Sequence, residues 1–416
     1  MQANRRGRGR RRRGTRVAQG HNGNPVMGKN TTGDKTQTGS TCIKFSTFHH
    51  SNHRVLPRGP PRIFEFHREV AIYNGNELYR DPSTSTRSML VENLKPDIAR
   101  ISKLKLSERR KVINRYLGAD LYDGWVDYEP MSRELLDTAV PCLEFLRNTE
   151  QNEHSTTATP FTIVTARHHL VNIAMSLFAD KSVGKFSIIC TLIGDVLMFS
   201  EDISDPKTLK EGLYTDNEQL FRICYSGIAL EDLLTKSEST ISKKEGPSFS
   251  IVQGILPKSN INIILRCEMD SYNPTLETYT EIKCFSKVKI SNPVHRRKLL
   301  KTWLQTSLIP STDIIIGTRD PYTGTLENIE QFTREKLLER FNNRNIPPLD
   351  SYYNFNAQLA VEWLQFCVKS ICTLVSKNRD NANHPGTQSF RITIDKNHNI
   401  HINVLDSTPQ NVVMPV

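Results

Sequence analysis

Residues 267–285 read CEMDSYNPTLETYTEIKCF. Two short runs of extended character flank a proline-containing turn, with Glu268 and Asp270 two apart in the first and Glu281 and Lys283 two apart in the second. Side chains alternate faces along a strand, so each pair points one way, and if the runs pair the four groups converge. Three carboxylates close together in a partly buried sheet repel one another, and a divalent cation relieves that repulsion. Hard oxygen ligands select Mg²⁺ or Mn²⁺ over zinc. Two such ions activate a water and stabilise the leaving oxygen of a phosphodiester, while a lysine orients the nucleophile or offsets transition-state charge. The plain alternative is a solvent-facing edge on which Glu281 pairs with Lys283 for little stability. Against it, the flanks "IILRC" and "CF" predict interior strands, where unpaired carboxylates are costly. E-x-D followed by E-x-K thus fits the requirements of a metal-dependent nuclease.

Working outward, "FTIVT" (161–165) predicts a strand running into the helical pattern "ARHHLVNIAMSLFA". "KFSIICTLIGDVLMFSED" predicts a hairpin about Gly194-Asp195, and "SFRITIDKNHNIHINVL" a final one. Residues 88–137 lean helical, with Gly118 expected to cap "SERRKVINRYLG". "EQLFRICYSGIALEDLLT" predicts a helix with Leu220, Ile223 and Cys224 on its apolar face. Then follow the helix "PVHRRKLLKTWLQTSL", the strand "DIIIGTRD" and a long helix from about Asn356 to Ser376. Strands mixed with helices throughout predict an α+β or mixed α/β class, with sheets packed on helices.

The 416 residues, 37% hydrophobic, suffice for a large core. Of the net charge of +11, Arg5, Arg6, Arg8, Arg10, Arg11, Arg12, Arg13 and Arg16 supply eight, which leaves +3 for the remainder. Residues 1–40 are therefore expected to be a disordered basic tail, suited to phosphate backbones or nuclear import, and 41–416 a single domain. An Arg-rich start without acidic residues before Asp34 also suits a mitochondrial segment, but no amphipathic apolar face accompanies it. No secretory signal is expected, and the most apolar run, "FSIICTLIGDVLMFS", is broken by Gly194-Asp195, so no membrane span is expected either. Eight cysteines without a CxxC pair predict reduced core thiols and no zinc site. His49, His50 and His53, and the pair His168-His169, lack the partners of a metal site. Along "HRRKLLKTWLQTSL", Arg297, Lys301 and Gln305 share one face, a groove lining or simply a wet side. "AQLAVEWLQFCVKSICTLV" predicts a core helix around Trp363.

The succession "VTARHHL" (Arg167), "YSGIALED" (Gly227, Glu231), "CEMD", "TEIK", "LKTWLQTSLIP" (Gln305) and "GTRD" resembles, in order and spacing, the motifs of the DXO family of RNA 5′-end decapping exoribonucleases. The likeness runs from about Pro60 onward. Within the family it is nearer the decapping branch than the nuclear branch that partners a processive exonuclease. The resemblance implies two central mixed β-sheets flanked by helices, distantly like D-(D/E)XK nucleases, and a deep pocket for one RNA 5′ end. Residue by residue it implies metal ligation by Glu231, Glu268, Asp270, Glu281 and the main-chain carbonyl of Ile282. Catalysis falls to Glu268, Asp270, Glu281, Lys283 and Gln305, and substrate contact to Arg167, Glu231, Lys283 and Gln305. Arg167 at a strand-to-helix junction is well placed for an anion.

The implied activity is metal-dependent removal of incomplete or noncanonical caps (an unmethylated cap dinucleotide, an NAD cap), then 5′-to-3′ degradation. Two ions, a monomer and a cytoplasmic location, with the nucleus next and mitochondria last, complete the expectation. Ile228-Ala229-Leu230 depart from the family's second motif, which carries aromatic and basic residues there, so an RNA contact is missing. The competing readings are a non-catalytic RNA 5′-end binder or nuclease-activating partner, and a DNA-directed endonuclease.

Overall fold

The computed structural model describes residues 41–48, 60–133, 138–150, 161–179, 186–204, 208–235, 247–259, 261–342, 356–381 and 387–407. The arginine-rich segment and His49, His50 and His53 lie outside them.

The larger of two mixed sheets contains β1 (Thr41–Ile43), β2 (Phe66–Asn74), β3 (Glu77–Arg80), β4 (Thr162–Ala166), β5 (Phe186–Ile193), β6 (Val196–Glu201), β7 (Phe249–Ile255), β8 (Asn262–Glu268), β13 (Gln388–Ile394) and β14 (Ile400–Leu405). Their order is β1-β14-β13-β5-β6-β4-β8-β7-β2-β3. The smaller holds β9 (Ser271–Asn273), β10 (Thr278–Ser286), β11 (Thr312–Arg319) and β12 (Leu326–Phe332) in the order β12-β11-β10-β9. With helices packed on both, the mixed α/β expectation is met.

Local chemistry explains the successful predictions. Gly194 takes φ 57°, open to glycine at no steric cost, and closes the β5–β6 hairpin. The opening stretch is different: its first run does not simply pair with its second. Cys267 and Glu268 finish β8, which is hydrogen-bonded to β7 and runs parallel to β4 in the large sheet. Only Ser271–Asn273 turns back on β10, with Tyr272 opposite Tyr279. Residues 267–285 therefore carry the chain from one sheet to the other.

The largest core lies between the ten-stranded sheet and the helices Arg167–Ser176, Pro293–Ser307 and Ala357–Asn381. Trp363 is fully buried there, and its Nε1 donates to Ser176 Oγ at 3.0 Å. By length and composition, Ala357–Arg379 is apolar enough to cross a membrane, which corrects the expectation that no stretch is. Its apolar side chains, among them Trp363, Leu364, Cys367, Val368 and Ile371, are instead buried against the sheet. All eight cysteines are free, and Cys142, Cys190, Cys267, Cys367 and Cys372 are buried.

A second core joins Ile282, Ile315 and Ile329 of the small sheet to Leu230 and Leu234 of the helix Glu218–Leu234. The face expected to be apolar on that helix is wrong, because Leu220 and Ile223 are exposed and Ser226, Leu230 and Leu234 are buried. Only the C-terminal half of the helix lies on the sheet. The 106–114 helix likewise ends at Asn114, ahead of Gly118, whose N–H donates to the Leu326 carbonyl at 2.9 Å.

Candidate active site

Parallel strands β4 and β8 end side by side, Ala166 opposite Arg266, so the residues that follow them share an edge. One is Arg167, first in its helix, and the other is Glu268. Side chains at the carboxyl ends of parallel strands face an open crevice, the usual ligand position in such sheets. Glu281 and Lys283 reach the same place from β10, pointing to one face of the small sheet. Glu231 arrives from the helix Glu218–Leu234, packed on β10.

Glu281 lies at the centre and is buried. Arg167 Nη1 donates to its Oε2 at 2.6 Å, and Lys283 Nζ stands 2.7 Å from its Oε1. Lys283 also reaches Asp270 Oδ2 at 3.2 Å and the Ile282 carbonyl at 3.0 Å, while the Ile282 N–H donates to Asp270 at 2.8 Å. Burial by itself would raise the Glu281 pKa; Arg167 and Lys283 outweigh it and hold the carboxyl at about 2. Burial would likewise strip the proton from Lys283, but Asp270 and Glu281 keep it an ammonium.

The other three carboxylates move the opposite way. Burial first, then Asp270, pushes Glu231 well above the carboxylate range. Burial and Glu281 raise Asp270. Glu268 is raised by its surroundings and by Asp270 although solvent reaches it; it borders open space while protein atoms crowd out much of its hydration. One ionised carboxylate, paired with Arg167 and Lys283, beside three that resist ionisation is a site crowded with acid.

These residues suit a hard divalent cation by donor chemistry: four carboxylates and a peptide carbonyl, all oxygen. Glu281 Oε1 is buried with no well-aligned hydrogen bond among the described residues, since Lys283 approaches it obliquely. As they stand, no three acidic, histidine or cysteine side chains among the described residues converge closely enough to chelate an ion. Lys283 sits between Asp270 and Glu281 and supplies the neutralising charge.

Arg167, expected on a phosphate, is buried and engaged with Glu281. Gln305 is half-buried on the helix Pro293–Ser307, where Lys301 is exposed and Leu300 and Leu304 are fully buried, as the shared-face reading requires. The His168 and His169 rings lie 4.0 Å apart between centroids, tilted by 50° to one another.

Sequence reasoning missed the supports. Arg319 of "GTRD" donates through Nε to Ser226 Oγ at 2.8 Å, tying β11 to the helix that bears Glu231. A Cβ on Gly317 would stand 2.5 Å from Leu230 Cδ2, so the close approach of helix and strand requires glycine there. Leu230 belongs to the unusual Ile228-Ala229-Leu230 run and is a core residue. Tyr279, two residues before Glu281, donates to Glu69 at 2.6 Å, and Glu69 is paired with Arg87 at 2.7 Å. The motif letters of "GTRD" and the Gly227–Glu231 spacing were the available signals.

Two mixed sheets meeting at an E-x-D/E-x-K carboxylate cluster, with a lysine among the acids, define a nuclease of PD-(D/E)XK architecture. The sequence matches the RAI1-like PD-(D/E)XK nuclease family over residues 87–415, and the chain belongs to that family. The decapping and exoribonuclease protein 1 of Saccharomyces cerevisiae is 37% identical over 379 residues, 89% of this chain and 84% of that protein. Its namesake in Kluyveromyces lactis is 31% identical over 379 residues, 88% of each. The crystal structure of K. lactis Dxo1 in complex with manganese superposes with a TM-score of 0.66 at 25% identity, covering 91% of this chain and all of that one. The chain is thus a hydrolase of the decapping-nuclease and exoribonuclease class, as its motifs imply.

Proposed function

We propose that this nuclease acts at RNA 5′ ends, cutting the phosphodiester after the first nucleotide. It would thereby release an incomplete or noncanonical cap, such as an unmethylated cap dinucleotide or an NAD cap, and then degrade the RNA 5′ to 3′ in mRNA quality control. The observation that carries this reading is Glu281, held ionised between Arg167 and Lys283 beside Asp270, at the junction of the two sheets. The relatives named for decapping and exoribonuclease activity support it.

Glu231, Glu268, Asp270, Glu281 and the Ile282 carbonyl would hold divalent metal, Mg²⁺ or Mn²⁺ and in our reading two ions. When bound, the metal supplies an activated water and charge for the leaving oxygen. The chain's own residues do the rest. Lys283 stays protonated, so it donates and offsets charge; it is not a base. Arg167 fixes Glu281 and with it the position of β10. Gln305, neutral and half-buried, offers an amide to water or phosphate. On the same footing we assign a monomer in the cytoplasm, with no membrane partner.

The test is product analysis on one RNA body carrying unmethylated-cap, methylated-cap, NAD, triphosphate or monophosphate 5′ ends, with Mg²⁺ or Mn²⁺. Release of an intact cap moiety followed by mononucleotides, abolished by chelator and by Glu268→Ala with Asp270→Ala, is expected. RNA bound but never cut with either metal would sink the enzymatic reading in favour of a binding partner. Cutting of closed circles or DNA as readily as free RNA 5′ ends would point to an endonuclease.

A further inference from the structure

Two tyrosines stand beside the carboxylate cluster without holding it together. The ring of Tyr128 lies 5.2 Å from Tyr225 and 6.5 Å from Phe221, both on the helix that carries Glu231. Tyr214 ends the turn Gly212–Tyr214, packed on that same helix. Its hydroxyl donates to the Met131 carbonyl at 2.7 Å, three residues from Tyr128, and the Arg133 guanidinium lies 4.2 Å from its ring centre. Arg133 is fixed in turn by Glu201 at 3.0 Å. Both tyrosines are half-buried and belong to none of the hydrophobic cores.

Packing on the helix that carries Glu231 places both rings beside the site, and their electrostatic surroundings agree. Burial, then Glu231, Asp232 and Glu268, push the Tyr128 hydroxyl up. Burial raises Tyr214 as well, with Glu268 adding to it against Arg133. Lys301, on the helix Pro293–Ser307, keeps a face to solvent while protein atoms crowd out much of its hydration; this and the charges of Lys283 and Arg297 depress it against Glu211. Two aromatic rings thus share Glu268 as a neighbour, and Lys301 lies near Lys283.

We propose that Tyr128 and Tyr214 form a base-stacking subsite for the leading nucleotides of a single-stranded RNA, with Lys301 meeting a backbone phosphate. This inference rests on the reading that RNA 5′ ends are the substrate. Every base has a π-face, so stacking holds a nucleotide without asking its identity, as an exonuclease working through arbitrary sequence requires. Arg133 and the Met131 carbonyl fix the Tyr214 ring, which lowers the entropy cost of ordering it against a base. A protein-docking surface would instead need a larger continuous apolar patch.

The experiment compares a 5′-monophosphorylated RNA with the same RNA made abasic at its first two positions, on wild type, Tyr128→Ala, Tyr214→Ala and Tyr128→Phe. Wild type should show a KM roughly tenfold or more higher on the abasic RNA at similar kcat. The alanine variants should lose the same factor on normal RNA and almost nothing further on the abasic one, and Tyr128→Phe should behave as wild type. Equal losses on both RNAs would make the rings merely structural and overturn the proposal. Should the alanine variants fold poorly, wild type alone decides, because equal KM for the two RNAs refutes stacking. If wild type cuts neither RNA with Mg²⁺ or Mn²⁺, the functional reading fails and takes this inference with it.

Discussion

Arg167 Nη1 donates to Glu281 Oε2 at 2.6 Å, a buried ion pair that links the start of a helix on the large sheet to the middle strand pair of the small one. Removing Arg167 leaves the buried Glu281 with Lys283 as its remaining counter-charge and one oxygen unpaired. Arg167→Ala is expected to cost about 3–5 kcal/mol of stability. Arg167→Lys should cost less, keeping the charge while losing the planar fork. Thermal unfolding of the metal-free proteins checks this, and an alanine variant that melts with wild type would show the pair to be dispensable to the fold.

The carboxylates predict opposite pH responses. Glu231 and Asp270 are raised in the folded protein, so as pH climbs past their unfolded values the folded state is penalised for ionising them. Glu281, held at about 2, contributes stability that is present above the usual carboxylate range and fades as pH falls towards 2. Glu231→Gln should therefore raise the melting temperature of chelator-treated protein at neutral pH, with the gain vanishing in acid. The same variant should respond less to added Mg²⁺ or Mn²⁺ and lose about 100-fold or more in activity. Calorimetry from acid to neutral pH, with and without chelator, measures each part; no stabilisation in the absence of metal would refute the repulsion.

Gly317 and Leu230 make a packing prediction. Gly317→Ala puts a methyl where Leu230 Cδ2 already stands, at an expected cost of about 1–3 kcal/mol. Leu230→Ala leaves a cavity and costs about 2–5 kcal/mol. Together the two should cost clearly less than their sum, since the added methyl fills part of the vacated space. Chemical denaturation of the four proteins closes the cycle, and simple additivity would mean that helix and strand shift apart freely.

Much of this protein was written in local sequence. Gly194 needs only its own backbone freedom to close a hairpin, and the apolar period around Trp363 needs only a sheet to lie on. The acids Glu268, Asp270 and Glu281 and the lysine Lys283 were legible because two-residue spacing fixes which way strand side chains point. Arg167, Glu231 and Gln305 were legible only through the order of motifs, since nothing local marks them.

Tertiary structure decided the rest. No spacing says that residues 267–285 pass from one sheet to another, because strand partners are chosen by long-range pairing and each half finds better partners elsewhere. The exposed Leu220 and Ile223 show the same limit: periodicity gives a helix its stripe, but the reach of the neighbouring sheet decides which part is covered. Nor could sequence place Lys283 between Asp270 and Glu281, or Arg167 on Glu281. The sequence by itself determined the chemical kinds of group and their local directions, whereas their mutual distances, and so their charges, were decided by how two sheets pack.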